Sequence, residues 1–468
     1  MNTNNLFRIE KDSLGKVRIP KKAYWGVNTQ RAIENFPISG LYPHKEYVFS
    51  TVIIKKAAVM ANRAFDLLDE KLFQAITTAC DEILNGKFSD QFIVDPYQAG
   101  AGTSHHMNIN EVIANRANEI LGAPLGSYTY IHPNNHVNMS QSTNDVIPCA
   151  VRITALTIIP DLLSVLNYLE KLLSRKTKDF RKIIKSGRTH LQDALPITLG
   201  QEFSAYHKSI ILDINRISES KQYLLRVGIG GTAVGTGINT PPGYQDMIMK
   251  NLVNLTRLPL IKSDNLFESM QNTSDLLFFS SSLRNISQTL IRIGNDLRLL
   301  SSGPKTGLSE ISLPDVQQGS SIMPGKVNPS IIEMMTMVCF QIIGFDQTIL
   351  LSSMSGQLEL NVMLPLVAHN LISQIKILTN AVNMFNNKCL KGIKANEDTC
   401  RYWLDRSSGI AAILNPYLGY DKTIELVKIS LKTGKSLKDS AVEKGFIPKD
   451  TANRLFRLKH LTKPNLQK

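Results

Sequence analysis

The chain has 468 residues, 43% of them apolar, which is enough for a sizeable buried core and too apolar for a disordered polymer. Lys and Arg outnumber Asp and Glu by 53 to 39, a net charge of +14 that suits nucleic acid, an anionic membrane surface or a small acidic substrate. These charges are scattered, with no arginine-rich tract, zinc-finger spacing or aromatic RNP-like motif, so no nucleic-acid partner is expected and the excess reads as solvated surface.

The first predicted element is a small β-hairpin over residues 6 to 20, LFRIEKDSLGKVRIP, which alternates apolar and polar about a Ser-Leu-Gly turn. Little else reads as strand. Helical patterns run from about 49 to 122, including VIIKKAAVMANRAFDLL and NEVIANRANEILG, the latter stopped by Gly122. A loop, SYTYIHPNNH, and a polar run, SQSTND, come next. Apolar residues at i, i+3, i+4 and i+7 then predict long helices over roughly 145 to 182, 201 to 227, 264 to 301, 330 to 354 and 358 to 390. MMTMVCFQIIGF and LTIIPDLLSVLNYL are apolar around much of their circumference, so these helices need cover on several sides. A helix bundle shared between copies of the chain would supply it. From about 391 the helices shorten and lysine becomes frequent, which predicts a small C-terminal domain.

Five cysteines, Cys80, Cys149, Cys339, Cys389 and Cys400, have no CxxC spacing and read as reduced thiols of a cytoplasmic protein. MNTNNLFRIEKD lacks a basic region followed by an apolar run, so no secretory signal is expected. The apolar stretch Met334 to Phe345 is broken by Gln341 and closed by Asp346; it reads as too short and too polar to span a bilayer, and a soluble protein with no membrane partner is expected.

Three polar motifs each precede a predicted helix. QAGAGTSHHMN puts Thr103 at one helix start, SQSTND puts Ser142, Thr143 and Asn144 at a second, and KVNPSIIE puts Asn328 at a third, with Asn328 suited to the N-cap and Pro329 to the first helical position. Capping alone explains any one of them. Together they point to anion binding, because free N–H groups and the positive end of the helix dipole converge there with hydroxyl and amide donors. Lys326 adds a full positive charge two residues before Asn328. GRTHLQDA places Thr189 and His190 in a break between helices, and Glu333, one turn inside the third helix, would orient that imidazole if the two meet.

Other patterns carry less. Gly228, Gly230 and Ala233 fit GxGxxA, but a helical pattern, KQYLLRV, precedes them and Pro241 and Pro242 follow, so a dinucleotide site is rejected. His105 and His106 are adjacent and point different ways on a helix, and His132 and His136 sit in a loop without a cysteine or carboxylate partner. No structural metal is predicted.

GSSIMPGKVNP, residues 319 to 329, closely resembles the signature of the fumarase and aspartase superfamily, and RAIENFPISG, YQAGAGTS, SQSTND, GRTHLQDALPITLGQEF, NDLRLLSSGP and SGQLELNVMLP extend the resemblance through almost the whole chain. The resemblance implies a mainly α, three-domain fold: 1–144, a small β-hairpin plus helices; 145–392, a central long-helix bundle; and 393–468, a small C-terminal helical domain. It also implies a homotetramer around a 20-helix core, with each active site shared by three subunits. Within the superfamily, aspartases typically look like YQ(A/G)GAGTS, SQSTND and GQL(Q/E)LNVM, whereas class II fumarases usually show TGSGT, SQSSND and GNFELNVF; Ala101, Thr143 and Gln357 are similar to the former.

The implied reaction is reversible anti elimination of ammonia from L-aspartate to fumarate through an aci-carboxylate; the alternative on the same fold is fumarate hydratase. Ser320 is the implied base. Thr103, Ser142, Thr143 and Ser321 are assigned to the β-carboxylate, Lys326 and Asn328 to the α-carboxylate, and Asn144, Thr189 and His190, paired with Glu333, to the amino group. No cofactor is implied, and activation by a divalent cation such as magnesium is left open. In HPNN, His132 to Asn135, the chain departs from the aspartate-bearing form common in the family, which weakens the expectation of a second anion site there.

Overall fold

The computed structural model describes residues 6–98, 100–457 and 461–464; Ala99 of the glycine-rich motif and the outermost residues of the expected terminal domains lie outside them. The chain divides into two compact units, one of Met1–Leu163, Asn215–Asn285 and Phe340–Thr379, the other of Ser164–Ile214, Ile286–Cys339 and Asn380–Lys468.

The first unit opens on the expected hairpin, β1 (Phe7–Asp12) against β2 (Gly15–Pro20), antiparallel with Asp12 opposite Gly15. The Leu14 N–H donates to Asp12 Oδ1 (2.9 Å), which closes the turn, and the inward residues Val17 and Ile19 cluster with Ala23 and Val27. Helix α1 (Val27–Asn35) has no side-chain cap of its own. Glu111 supplies one from outside: its buried carboxylate accepts from the N–H groups of Gly26 (2.8 Å), Asn28 (2.8 Å) and Thr29 (3.1 Å), a full negative charge on the positive end of a helix.

Glu111 belongs to α4 (Thr103–Ile120), which packs with α2 (Lys45–Ala64) and α3 (Glu70–Leu84). Their shared core is aliphatic, built from Val52, Val59, Ile76, Ile83, Ile109 and Ile113. Asp69 caps α3 by accepting the Leu72 N–H (2.9 Å), and Gly122, at φ +86°, follows the end of α4 in the left-handed region that glycine tolerates.

The long helices lie close to their predicted spans: α5 (Thr143–Asp179), α6 (Leu199–Tyr223), α9 (Ser274–Leu300), α10 (Ser330–Ser353) and α11 (Leu364–Lys388), with α7 (Tyr244–Thr256) and α8 (Leu266–Gln271) between α6 and α9. Two differences have local causes. The pattern over 264 to 301 is broken after α8 because Asn272 accepts the Ser274 N–H at Oδ1 (2.9 Å) and starts α9 afresh. The pattern from 358 begins as a tight turn, in which Gln357 and Leu360 exchange backbone hydrogen bonds of 3.0 and 3.2 Å, and helix starts only at Leu364.

Helices α5 and α10 are both long and apolar enough to cross a membrane by length and composition, which the short reading of Met334 to Phe345 missed because α10 runs from Ser330 to Ser353. Burial separates them: 67% of the most apolar stretch of α5 is covered within the chain, against 28% for α10. Helix α10 buries Ile332, Cys339, Ile342 and Ile349 on one face and leaves Met337, Phe340 and Leu351 exposed on the other.

A second hairpin, β3 (Ile184–Thr189) against β4 (Gln192–Thr198), was not predicted. Its first strand buries Lys185, Ser186 and Gly187 in succession, so the apolar alternation that marks a strand is missing. The chain ends in short helices, as expected: α12 (Glu397–Arg406), α13 (Asn415–Leu418), α14 (Tyr420–Thr433), α15 (Leu437–Glu443) and α16 (Lys449–Leu455), around Leu404, Leu414, Leu426 and Ala441.

Candidate active site

In the first unit, two helix starts come together. Gly100, Ala101 and Gly102 turn the chain through three left-handed residues in a row (φ 75°, 55° and 100°), an arrangement that two glycines make accessible and that is uncommon for an alanine. Gly102 caps α4 without a side chain, and Thr103, the first helical residue, donates from Oγ1 to the Gly100 carbonyl (2.6 Å). At the start of α5 the Ser142 N–H donates to Asp145 Oδ1 (2.9 Å) while Ser142 Oγ accepts the Asn144 N–H (3.2 Å), a reciprocal cap that fixes Ser142, Thr143 and Asn144. The Thr103 and Thr143 hydroxyls lie 3.2 Å apart. Two dipole ends and two hydroxyls therefore face one place, the condition for holding an anion.

The GIGGTA loop serves this helix start. Asp145 Oδ2 accepts the N–H groups of Gly230 (3.1 Å) and Thr232 (3.0 Å), and Asn144 Nδ2 donates to the Ala233 carbonyl (2.7 Å). What immediately precedes the loop is a short strand, Arg226–Val227, because α6 stops at Tyr223; the expectation of helix up to Val227 is corrected by that much. Burial pushes the Asp145 carboxyl up to about 6, against the pull of those backbone N–H groups and of Lys55.

Behind Thr143 lies a buried polar group that the motifs did not announce. His106 Nδ1 is 2.8 Å from Thr143 Oγ1, and His106 Nε2 is hydrogen-bonded to Lys55 Nζ, which also donates to Asn138 Oδ1 (2.9 Å) and Gln141 Oε1 (3.0 Å). Burial pushes the Lys55 ammonium and the His106 imidazolium well below their ordinary values. His105 stacks on Tyr47 with ring centres 4.2 Å apart and lies 3.2 Å from Thr51 Oγ1. The two adjacent histidines thus meet Thr51 and Lys55, one turn apart on α2. His132 accepts the N–H of Asn134 at Nδ1 (3.2 Å), and His136 Nδ1 accepts the N–H of His132 (2.8 Å), so both order their own turn. Among the described residues no group of three or more His, Cys, Asp or Glu side chains fits a metal ion.

The remaining candidates belong to the second unit. Thr189 ends β3 and His190 stands with Leu191 in the tip of the hairpin, both at positive φ (55° and 59°), the conformation a two-residue hairpin turn requires. The base of this hairpin is held by buried charge: Lys185 pairs with Glu202 (2.9 Å) and Glu310 (2.9 Å), and Arg188 with Glu310 (3.0 Å). Glu310→Ala leaves two cations around an empty buried site, so unfolding in urea is expected about 3–5 kcal/mol earlier than wild type. An unchanged midpoint would show that the network does not anchor the hairpin.

The loop of Gly319 to Pro329 is closed at its base and open at its tip. The Gly319 N–H donates to the Lys326 carbonyl (2.7 Å), and Asn328 Nδ2 donates to the Gly319 carbonyl (2.8 Å). Any Cβ on Gly319 would lie 2.7 Å from the Asn328 nitrogen, which explains the glycine. Asn328 is therefore a strut of the loop rather than the N-cap: α10 begins at Ser330, and the Pro329 carbonyl accepts the first helical bond, from the Glu333 N–H (3.1 Å). Ser320 Oγ accepts the N–H groups of Ile322 (3.2 Å) and Met323 (2.9 Å), while Ser321 and Lys326 are exposed. Glu333 faces Arg298 at 3.9 Å, and among the described residues no hydrogen bond or ion pair joins it to His190.

A family model described as lyase matches residues 15–344, and one described as fumarase C C-terminus matches residues 410–463. The chain is 46% identical to an aspartate ammonia-lyase of Bacillus subtilis over 466 residues, covering 100% of this chain and 98% of that protein. It is 44% identical to an aspartate ammonia-lyase of Helicobacter pylori, covering 98% of each, and 42% identical to that of Escherichia coli, covering 98% of this chain and 97% of the other. Among solved structures, fumarate lyase:delta crystallin from Brucella melitensis bound to cobalt superposes with a TM-score of 0.92 at 44% identity, over 96% of this chain and 98% of that one. A class II fumarase from Schistosoma mansoni gives 0.92 at 35% identity, with the same coverage. Motifs, fold and full-length identity agree, and the chain belongs to the lyase family of the fumarase/aspartase superfamily.

Proposed function

We propose that this protein is an aspartate ammonia-lyase, a carbon–nitrogen lyase that interconverts L-aspartate with fumarate and ammonia. The observation that carries the reading is the meeting of two helix N-termini with the Thr103 and Thr143 hydroxyls 3.2 Å apart, on a chain with full-length relatives of that name. The chemistry needs such a place. A Cβ–H beside an ionised carboxylate is weakly acidic, and its removal puts two negative charges on one carboxylate, so stabilising that aci-carboxylate matters more than the strength of the base.

Thr103, Ser142, Thr143 and Ser321 serve the β-carboxylate, Lys326 and Asn328 the α-carboxylate, and Asn144, Thr189 and His190 the amino group. Ser320 takes the Cβ proton, its alkoxide favoured by the two N–H groups already on Oγ. The loop that carries it closes over substrate and excludes water. Glu333 supports the amine end once the site is assembled, a role that requires it to leave Arg298. The reading keeps the division into 1–144, 145–392 and 393–468 and a homotetramer with active sites shared by three subunits; the exposed Met337, Phe340 and Leu351 stripe of α10 supports a long-helix core that further copies complete. Five free, buried cysteines suit a cytoplasmic protein. Magnesium or a similar cation is assigned at most an activating role, and no step passes through it.

Incubating the protein with fumarate, with and without ammonium, tests the reading. Aspartate that appears only with ammonium is expected; malate in its place would make the protein a fumarate hydratase.

A further inference from the structure

We propose that Lys55 is a positioning residue of this site: it starts a one-way chain of hydrogen bonds through His106 that keeps the Thr143 hydroxyl a donor toward the carboxylate it meets. The proposal rests on the reading of Thr143 as a carboxylate ligand.

The direction of the chain follows from which groups can only accept. The Gly100 carbonyl, 2.6 Å from Thr103 Oγ1, has no proton to give, so it takes the single hydroxyl proton of Thr103. Across the 3.2 Å between the two hydroxyls, Thr143 is then the donor. With its proton so used, Thr143 can only accept from His106, 2.8 Å away, which puts the imidazole proton on Nδ1. His106 is fully buried with its pKa pushed well down, so it is neutral and Nε2 is bare. That nitrogen needs a donor, and Lys55 Nζ is its partner.

The surroundings of Lys55 agree. Asn138 and Gln141 turn their amide nitrogens to backbone carbonyls, of Gln141 (3.3 Å) and of Val137 and Met139 (3.1 Å each), so both present oxygens to Nζ. Three acceptors match the three N–H groups of an ammonium and leave no place for an amine lone pair. Burial opposes that charge, and the Asp145 carboxylate favours it. A substrate carboxylate arriving at the helix starts takes the Thr143 proton from Thr103, and every bond behind it already points the same way, an arrangement that strengthens the donor as charge grows on the aci-carboxylate.

The first test reads the tautomer directly: ¹⁵N NMR of the full-length protein labelled at histidine, with His106 identified by the signals that His106→Asn removes. The Nδ1–H tautomer is expected, and the Nε2–H tautomer overturns the chain. This measurement needs no turnover, so it stands apart from the ammonia-lyase reading, which fails separately if the wild-type protein makes no fumarate from L-aspartate. The second test is kinetic. Lys55→Met is expected to lower kcat about ten- to hundredfold, the worth of one charge-assisted hydrogen bond, with a smaller change in KM. Adding it to Thr143→Val should cost nothing more, whereas effects that multiply would show that Lys55 does not act through Thr143. Where Lys55→Met does not fold, His106→Asn cuts the same chain and enters the same cycle, with the same two outcomes.

Discussion

Replacing Ser320 with alanine is expected to lower kcat by about 10²–10⁴, the usual worth of a positioned base, with little change in KM. The expectation comes from the local geometry of the loop. A free serine hydroxyl is almost wholly protonated near neutrality and makes a poor base. Here both lone-pair directions of Oγ are engaged by the N–H groups of Ile322 and Met323, contacts that gain strength when the oxygen is charged. Alanine gives up those two exposed bonds, but the base of the loop is tied independently of Ser320, through Gly319, Lys326 and Asn328. Alanine therefore removes the base and leaves the fold, so the variant should assemble and still bind a competitive dicarboxylate. Near-normal turnover would exclude Ser320 as the base and move the search to Ser321.

Lys326→Ala carries the next largest effect: KM for L-aspartate is expected to rise about ten- to hundredfold, with kcat changed less. The ammonium sits on the exposed side of the loop and has no carboxylate partner among the described residues, so its charge is available to an incoming anion. Its backbone already serves the loop, since the Lys326 carbonyl accepts from Gly319, and alanine preserves that contact. The loss should therefore fall on binding common to substrate and transition state. Steady-state kinetics over a wide aspartate range decide it, and an unchanged KM would remove Lys326 from the carboxylate site.

What the sequence disclosed, and what it hid, follow from the range of the interactions involved. Helix spans were legible because apolar spacing is a local signal, and so were the starts at Thr103 and Thr143, where a cap and a first turn lie within a few residues. The hairpin at 184 to 198 was not, because its strand is buried through Lys185 and partners that come from residue 202 and residue 310. Asn328 suits an N-cap by type, yet its amide is taken by a carbonyl nine residues back. Lys55 stands beside a second lysine in VIIKKAAV. Its neighbour Lys56 does pair with Asp81 (2.5 Å), while Lys55 is buried against α4. One signal was present: Val48, Val52 and Val59 place Lys55 on the apolar face of α2, where a charge requires a partner. The identity of that partner, His106, depends on a contact between residues fifty-one apart, which periodicity cannot report.

In the proposed site, residues scattered along the chain surround one four-carbon dianion. Its most direct test is a crystal structure of the assembled protein with succinate, a dicarboxylate that cannot eliminate ammonia. One ligand is expected within hydrogen-bond reach of Thr103, Thr143, Ser320, Lys326 and Asn328, contributed where necessary by different copies of the chain. Succinate bound elsewhere, or these side chains too far apart to touch a single ligand even across copies, would contradict it.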